Sequence, residues 1–236
     1  MSSKIYLHKF LFYLTPPLIA VLLYFYGDNE RYFDAIYVSA LIVSCVFCWQ
    51  DKDALGAMIA VIAYFIISEL FYAIPDSLVN AFCIYIACLI LSLYFFRDVT
   101  AKILLAYVIM TMGVEIYWLQ IEYANKPRML YYISTMALTI GLRQLLYQRV
   151  FIMSEYFGYS SSRLRLDIHV GLIFYAFYIL VALMAGEYFI RHLLGVKSAL
   201  FIYNIYTPVS NFLSALTLCV VYMNYFYNQS QKQLNR

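Results

Sequence analysis

The chain has 236 residues, of which 65% are hydrophobic and 12% charged. Soluble domains carry about 25% charge, so this chain lacks the polar groups to cover its own surface. Mean hydropathy is +0.76, and 16 Lys and Arg against 13 Asp and Glu leave a formal charge of +3. Together these values exclude a soluble globule, a disordered chain and a basic nucleic-acid stripe, and leave lipid as the solvent.

Apolar runs separated by charged punctuation predict eight segments. In chain order they cover about Phe10–Tyr26, Tyr32–Trp49, Ala54–Ile74, Leu78–Phe96, Ile103–Tyr123, Met129–Gln148, His169–Ile190 and Ser198–Tyr225. Most are long enough to span ~30 Å of hydrocarbon at ~1.5 Å per residue. A β-barrel would need strands of about 10 residues with alternating polarity, and these runs are longer and continuously apolar. The expected fold is an all-α polytopic integral membrane helix bundle of about eight transmembrane helices, in a single transmembrane domain over 1–236. Lys4 and Lys9 before the first run mimic a signal peptide, but no small-x-small site follows, so that run is expected to be a retained helix.

Short connections such as Asp51-Lys52-Asp53, Pro75-Asp76-Ser77 and Lys126-Pro127-Arg128 make sequential helices antiparallel neighbours. The longest connection runs from Arg149 to Ile168 and holds Gly158, Ser160-Ser161-Ser162, Arg163 and Arg165. Lys and Arg concentrate on the side of both termini. Lys4, Lys9, Lys52, Arg97, Lys102, Arg149, Arg163, Arg165, Lys232 and Arg236 fall there, against Arg31, Lys126, Arg128, Arg191 and Lys197 opposite. The positive-inside rule then places both termini and the 149–168 loop in the cytoplasm of an inner, plasma-type membrane. Failure of the short second span to insert would invert everything after it.

Ionisable groups inside spans are the informative exceptions, because each costs ~2.5–3.5 kcal/mol at a helix centre. Glu115 lies about 18 Å along the fifth segment and Glu69 about 22 Å along the third. With Glu187, they are candidates for a polar cavity that takes up protons or a cation. Local satisfaction is the competing reading: Glu187 reaches Arg191 one turn on, and Glu69 and Glu122 sit near the outer headgroups. Asn204 and Asn211 flank Pro208 on one face of the last segment, where a broken helix would expose backbone to a transported ion. A kinked packing helix is the simpler account, as only 8 glycines are present. Arg143 is the one basic residue within a span. It either meets Glu115 across the hairpin or snorkels to the cytoplasmic face, where with Arg163 and Arg165 it can contact a lipid or phosphate.

Twenty-six tyrosines, many of them mid-segment (Tyr64, Tyr85, Tyr107, Tyr175, Tyr178, Tyr206), call for hydrogen-bond partners, most simply on neighbouring helices. Five cysteines lie in apolar runs and read as packing residues, Cys45-x-x-Cys48 included. His169 and His192 bracket the seventh segment about 35 Å apart, too far to share a metal or haem. There is no H-E-x-x-H, G-x-S-x-G or P-loop and no mid-span lysine for a Schiff base. No catalytic residue, metal or cofactor is therefore expected. Elimination favours a non-enzymatic subunit of a membrane assembly of defence, immunity, secretion or envelope type, with a protein partner or a second copy of itself and no nucleic acid. The alternatives are a small proton- or cation-coupled transporter or channel using the carboxylates, and an intramembrane lipid-modifying enzyme using the basic cluster.

Overall fold

The computed structural model describes residues 14, 18, 21, 30–47, 49, 51–75, 77–123, 128–158 and 165–234. Among these there are seven helices and no strands: α1 Glu30–Phe47, α2 Lys52–Ala73, α3 Leu78–Tyr94, α4 Val99–Gln120, α5 Met129–Phe157, α6 Arg165–Leu193 and α7 Phe201–Leu234. Four are long and apolar enough to cross a membrane: α2, α4, α6 and the Phe201–Asn224 part of α7. Helices α1 and α3 are apolar but shorter. Helix α5 is long but more polar, with Ser134, Thr135, Thr139, Arg143 and Gln144 along it. The Phe10–Tyr26 segment with Pro16-Pro17 lies outside the described residues except for Leu14, Leu18 and Val21, which are helical.

Local chemistry sets the helix starts. Asp51 accepts the Ala54 N–H at 3.3 Å before α2. Ser77 accepts that of Asn80 at 3.2 Å before α3. Asp98 accepts that of Thr100 at 2.9 Å before α4. These are N-cap residues satisfying donors the helix itself leaves over. The span from 149 to 168, expected as the longest connection, is helical at both ends: α5 continues to Phe157 and α6 begins at Arg165. Charged residues mark the ends of those apolar runs, whereas a helix can run on into water once its backbone bonds are internal.

Contacts divide the chain into two compact units, one from 1–62, 145–174 and 207–236, the other from 63–144 and 175–206. In the second unit, Tyr85 and Cys88 of α3, Leu104 and Val108 of α4, Ile133 and Ile140 of α5, and Tyr178 and Val181 of α6 form one buried cluster. Helix α4 contributes a stripe at Ala101, Leu104, Val108, Thr111 and Trp118, the spacing of a helix that buries one face. Helix α5 is buried on more sides from Leu130 through Ile140, and its charged residues, Arg143, Arg149 and Glu155, lie beyond that stretch. Its hydroxyls fold back onto their own helix, Thr135 donating to the Tyr131 carbonyl at 2.7 Å and Thr139 to that of Thr135 at 2.7 Å. In the first unit, Ala54, Ala57, Met58 and Val61 make a buried stripe on α2. Small residues there allow close approach of helices, which in lipid is the main source of packing energy.

Helix α4 ends with Tyr123 N–H on the Trp118 carbonyl (3.0 Å) and Glu122 N–H on that of Leu119 (3.4 Å), the Schellman pattern. The left-handed position belongs to Glu122, at φ 51°. A side chain there is strained, by about 1 kcal/mol relative to glycine. Glu122→Gly is expected to raise the thermal midpoint of the detergent-solubilised protein, read by loss of helical circular dichroism, with no change in helix content at low temperature.

Candidate functional site

Two polar constellations stand out, one in each unit. In the first, Arg149 is buried near the end of α5 and binds two carboxylates. Its Nε and Nη2 donate to the two oxygens of Asp167 at 3.0 and 2.8 Å, and its Nη1 donates to Asp53 at 2.9 Å. Asp167 is 1% exposed and Asp53 23%. Both acids lie in first turns, of α6 and α2 respectively, where a negative charge is favoured by the helix dipole. One guanidinium thus ties three helices together. Gly56 of α2 packs beside it, where an added Cβ would lie in ordinary van der Waals contact, 3.5 Å from the Arg149 side chain. Burial would lower the Arg149 pKa, but hydrogen bonds and charge from Asp167 and Asp53 raise it above its ordinary value.

The second unit holds the carboxylates singled out in the sequence. Glu187 is buried, and its two oxygens accept the Ile202 and Tyr203 backbone N–H groups at 2.6 and 3.0 Å. It caps α7 from another helix. The residue before α7 is Leu200, which has no side-chain acceptor, so those donors need one from elsewhere. That missing cap was the legible signal for this role. Arg191, the expected i+4 partner of Glu187, instead lies over the rings of Tyr188 and Tyr203, at 5.9 and 5.8 Å. Asn204 follows Tyr203 on the surface, and Asn211 is half-buried in the same helix, which continues through Pro208.

Glu115 is half-buried and accepts a hydrogen bond from the Tyr85 hydroxyl, joining α3 to α4. Glu69 is exposed on α2, within electrostatic reach of Tyr131. Arg143 does not meet Glu115. Its Nη1 lies 3.3 Å from the Thr100 hydroxyl and 3.7 Å from Asp98, and its guanidinium stands 5.0 Å over the Tyr175 ring. Thr100 and Glu115 are some 22 Å apart along α4 by the helical rise, so one arginine cannot serve both. The Nε of Arg143 is buried without a hydrogen-bond partner. Arg165 is exposed at the start of α6, and Arg163 lies outside the described residues.

Tyrosines supply most of the remaining links between helices in this unit. Tyr107 donates to the Ala182 carbonyl at 2.8 Å and Tyr178 to that of Thr100 at 2.6 Å, both joining α4 to α6. Tyr64 meets Thr139 at 3.4 Å. Arg128 donates to the Tyr72 and Ile74 carbonyls at 3.2 and 3.0 Å, closing the end of α2.

Removing one partner from a buried ion group costs about 3–5 kcal/mol, because the other charge is left bare. Arg149→Met is expected to lower the thermal midpoint sharply. Adding Asp53→Leu and Asp167→Leu in the same chain should recover part of the loss. Glu187→Ala strands two backbone donors and should cost about 1–3 kcal/mol, with the first loss of protection in hydrogen exchange at Ile202 and Tyr203.

Comparison with protein-family models, with curated proteins and with solved structures finds no match.

Proposed function

We infer that the chain is a multi-pass membrane protein of about eight spans that works as a non-enzymatic subunit of an inner-membrane assembly, of defence, immunity, secretion or envelope type. Support comes chiefly from what the buried charges do. Among the described residues these are Arg149, Asp167 and Glu187, and each one holds helices together. A transport site needs an ionisable group free to change partners during the cycle, and a carboxylate capping α7 is not free in that sense.

The helix lengths favour an assembly. Helix α3 has 17 residues and rises about 25 Å, short of a ~30 Å hydrocarbon core. Short spans are accommodated by thinning the bilayer or by oligomerising. Exposed Val79, Phe82, Ile90 and Tyr94 along α3 would suit a neighbouring helix. The excess of Lys and Arg on one side of the expected spans supports cytoplasmic termini.

Mild-detergent extraction from the native membrane followed by native mass spectrometry tests the subunit reading. A second polypeptide at fixed stoichiometry is the expected outcome, and a chain that emerges alone at every detergent concentration would overturn it. One observation favours proton- or cation-coupled transport instead: Glu115 is only half-buried and held by a phenol, whose bond a proton can break. That reading requires a pH-dependent flux in vesicles that Glu115→Gln abolishes while the protein still folds.

A further inference from the structure

The second unit contains a run of oxidisable rings that neither constellation uses. Trp118 stacks on Tyr123 with centroids 5.7 Å apart. The Tyr123 hydroxyl lies 3.0 Å from Nδ1 of His192. His192 is 6.1 Å from Trp118 and 6.1 Å from Tyr188. Tyr188 is 5.3 Å from Tyr132, and their hydroxyls are 3.4 Å apart. Tyr132 lies 6.1 Å from Tyr206. Trp118 is almost fully buried, whereas Tyr123, Tyr132, Tyr188 and His192 are partly exposed, so the run has both a sheltered end and an accessible one.

A phenol loses an electron readily only when its proton can leave at the same time, because the protonated radical is a strong acid. A hydrogen-bonded imidazole is the side chain suited to take that proton at neutral pH. Of the tyrosine hydroxyls with described partners, Tyr107 and Tyr178 donate to carbonyls, Tyr85 to a carboxylate, and Tyr64, Tyr132 and Tyr188 meet hydroxyls, while Tyr123 faces an imidazole nitrogen.

We propose that Tyr123 and His192 form a proton-coupled oxidation site that reduces lipid peroxyl radicals, with the adjoining rings sharing the resulting radical. His192 carries its own proton on Nε2 and presents Nδ1 as acceptor. The O–H bond of Tyr123 breaks, its electron passes to the peroxyl radical and its proton to Nδ1. The peroxide anion takes a proton from water, and the imidazolium returns one to water. The net change is one peroxyl radical and one phenol converted to one lipid hydroperoxide and one tyrosyl radical. Trp118, Tyr188 and Tyr132 stand close enough for the radical to move among them. The occupant is a lipid-phase oxidant because the site is carried near the ends of two helices apolar enough to cross a membrane, α4 and α6. The proposal rests on membrane embedding alone and stands whether or not the chain has a protein partner.

The test uses the full chain in vesicles of dilinoleoyl phosphatidylcholine, with a lipid-soluble azo initiator as the source of peroxyl radicals. Tyrosyl radical is followed by absorbance and electron paramagnetic resonance. Wild type should form it with a solvent deuterium isotope effect, and its high-field spectrum should show a hydrogen-bonded tyrosyl. Tyr123→Phe should remove that species. His192→Leu should slow its formation by about a hundredfold, the low end for loss of a positioned base. Tyr94→Phe, at an exposed site remote from the run, should change nothing. A wild-type spectrum containing only tyrosyl without a hydrogen bond overturns the proposal, whatever the folding of the variants. So does a rate that Tyr123→Phe and His192→Leu leave unchanged.

Discussion

Each helix leaves four N–H groups and four carbonyls unsatisfied at its ends, and in a chain this poor in polar residues they must be answered by very few side chains. A few charged groups serve the helix ends, some by bonding the backbone itself and one by pairing acids of first turns. Arg149 gathers the first-turn acids of α2 and α6. Glu187 answers the first donors of α7, and Arg128 the last carbonyls of α2. Where such a group is buried, as Glu187 and Arg149 are, water cannot substitute for its partner, and the pairing fixes a helix end in place. The packing of apolar faces then follows from where the ends are held.

Tyrosine does the corresponding work along the helix shafts. Its ring fills apolar space, and its hydroxyl reaches a carbonyl on the next helix, as Tyr107 and Tyr178 both do between α4 and α6. The reach has to be accommodated: an added Cβ at Gly186 would come within 3.1 Å of the Tyr107 hydroxyl. Burying a phenol without such a partner would be costly. A tyrosine-rich membrane sequence is therefore constrained in helix register, because each hydroxyl must arrive opposite an acceptor.

This division of labour bears on function. A buried carboxylate that accepts two backbone amides, as Glu187 does, holds a helix end. The Tyr85–Glu115 pair differs, since it joins two side chains at a half-buried position. Tyr123 and His192 differ again, since the partner there is itself a base.

Composition and run length by themselves determined the helical class and the places where α2, α3, α4, α6 and α7 lie, because a continuous apolar stretch bounded by charge admits few other conformations in lipid. The sequence also isolated Glu187 and Arg143 as residues needing partners. The partners it offered, Arg191 for Glu187 and Glu115 for Arg143, are not the ones the structure shows. Arg149 read as one more charge in a basic loop, because its acids are 96 and 18 residues away in the chain. Arg143 turned to Asp98 and Thr100 rather than Glu115, a choice made by the register between α4 and α5. The Met129–Gln148 run reads in the sequence as one more apolar segment, and only packing shows that its Leu130–Ile140 stretch is buried on several sides while the helix continues to an exposed end at Phe157. Hydrophobicity sets which segments leave water, whereas polar pairing depends on distances among segments that the linear order does not encode.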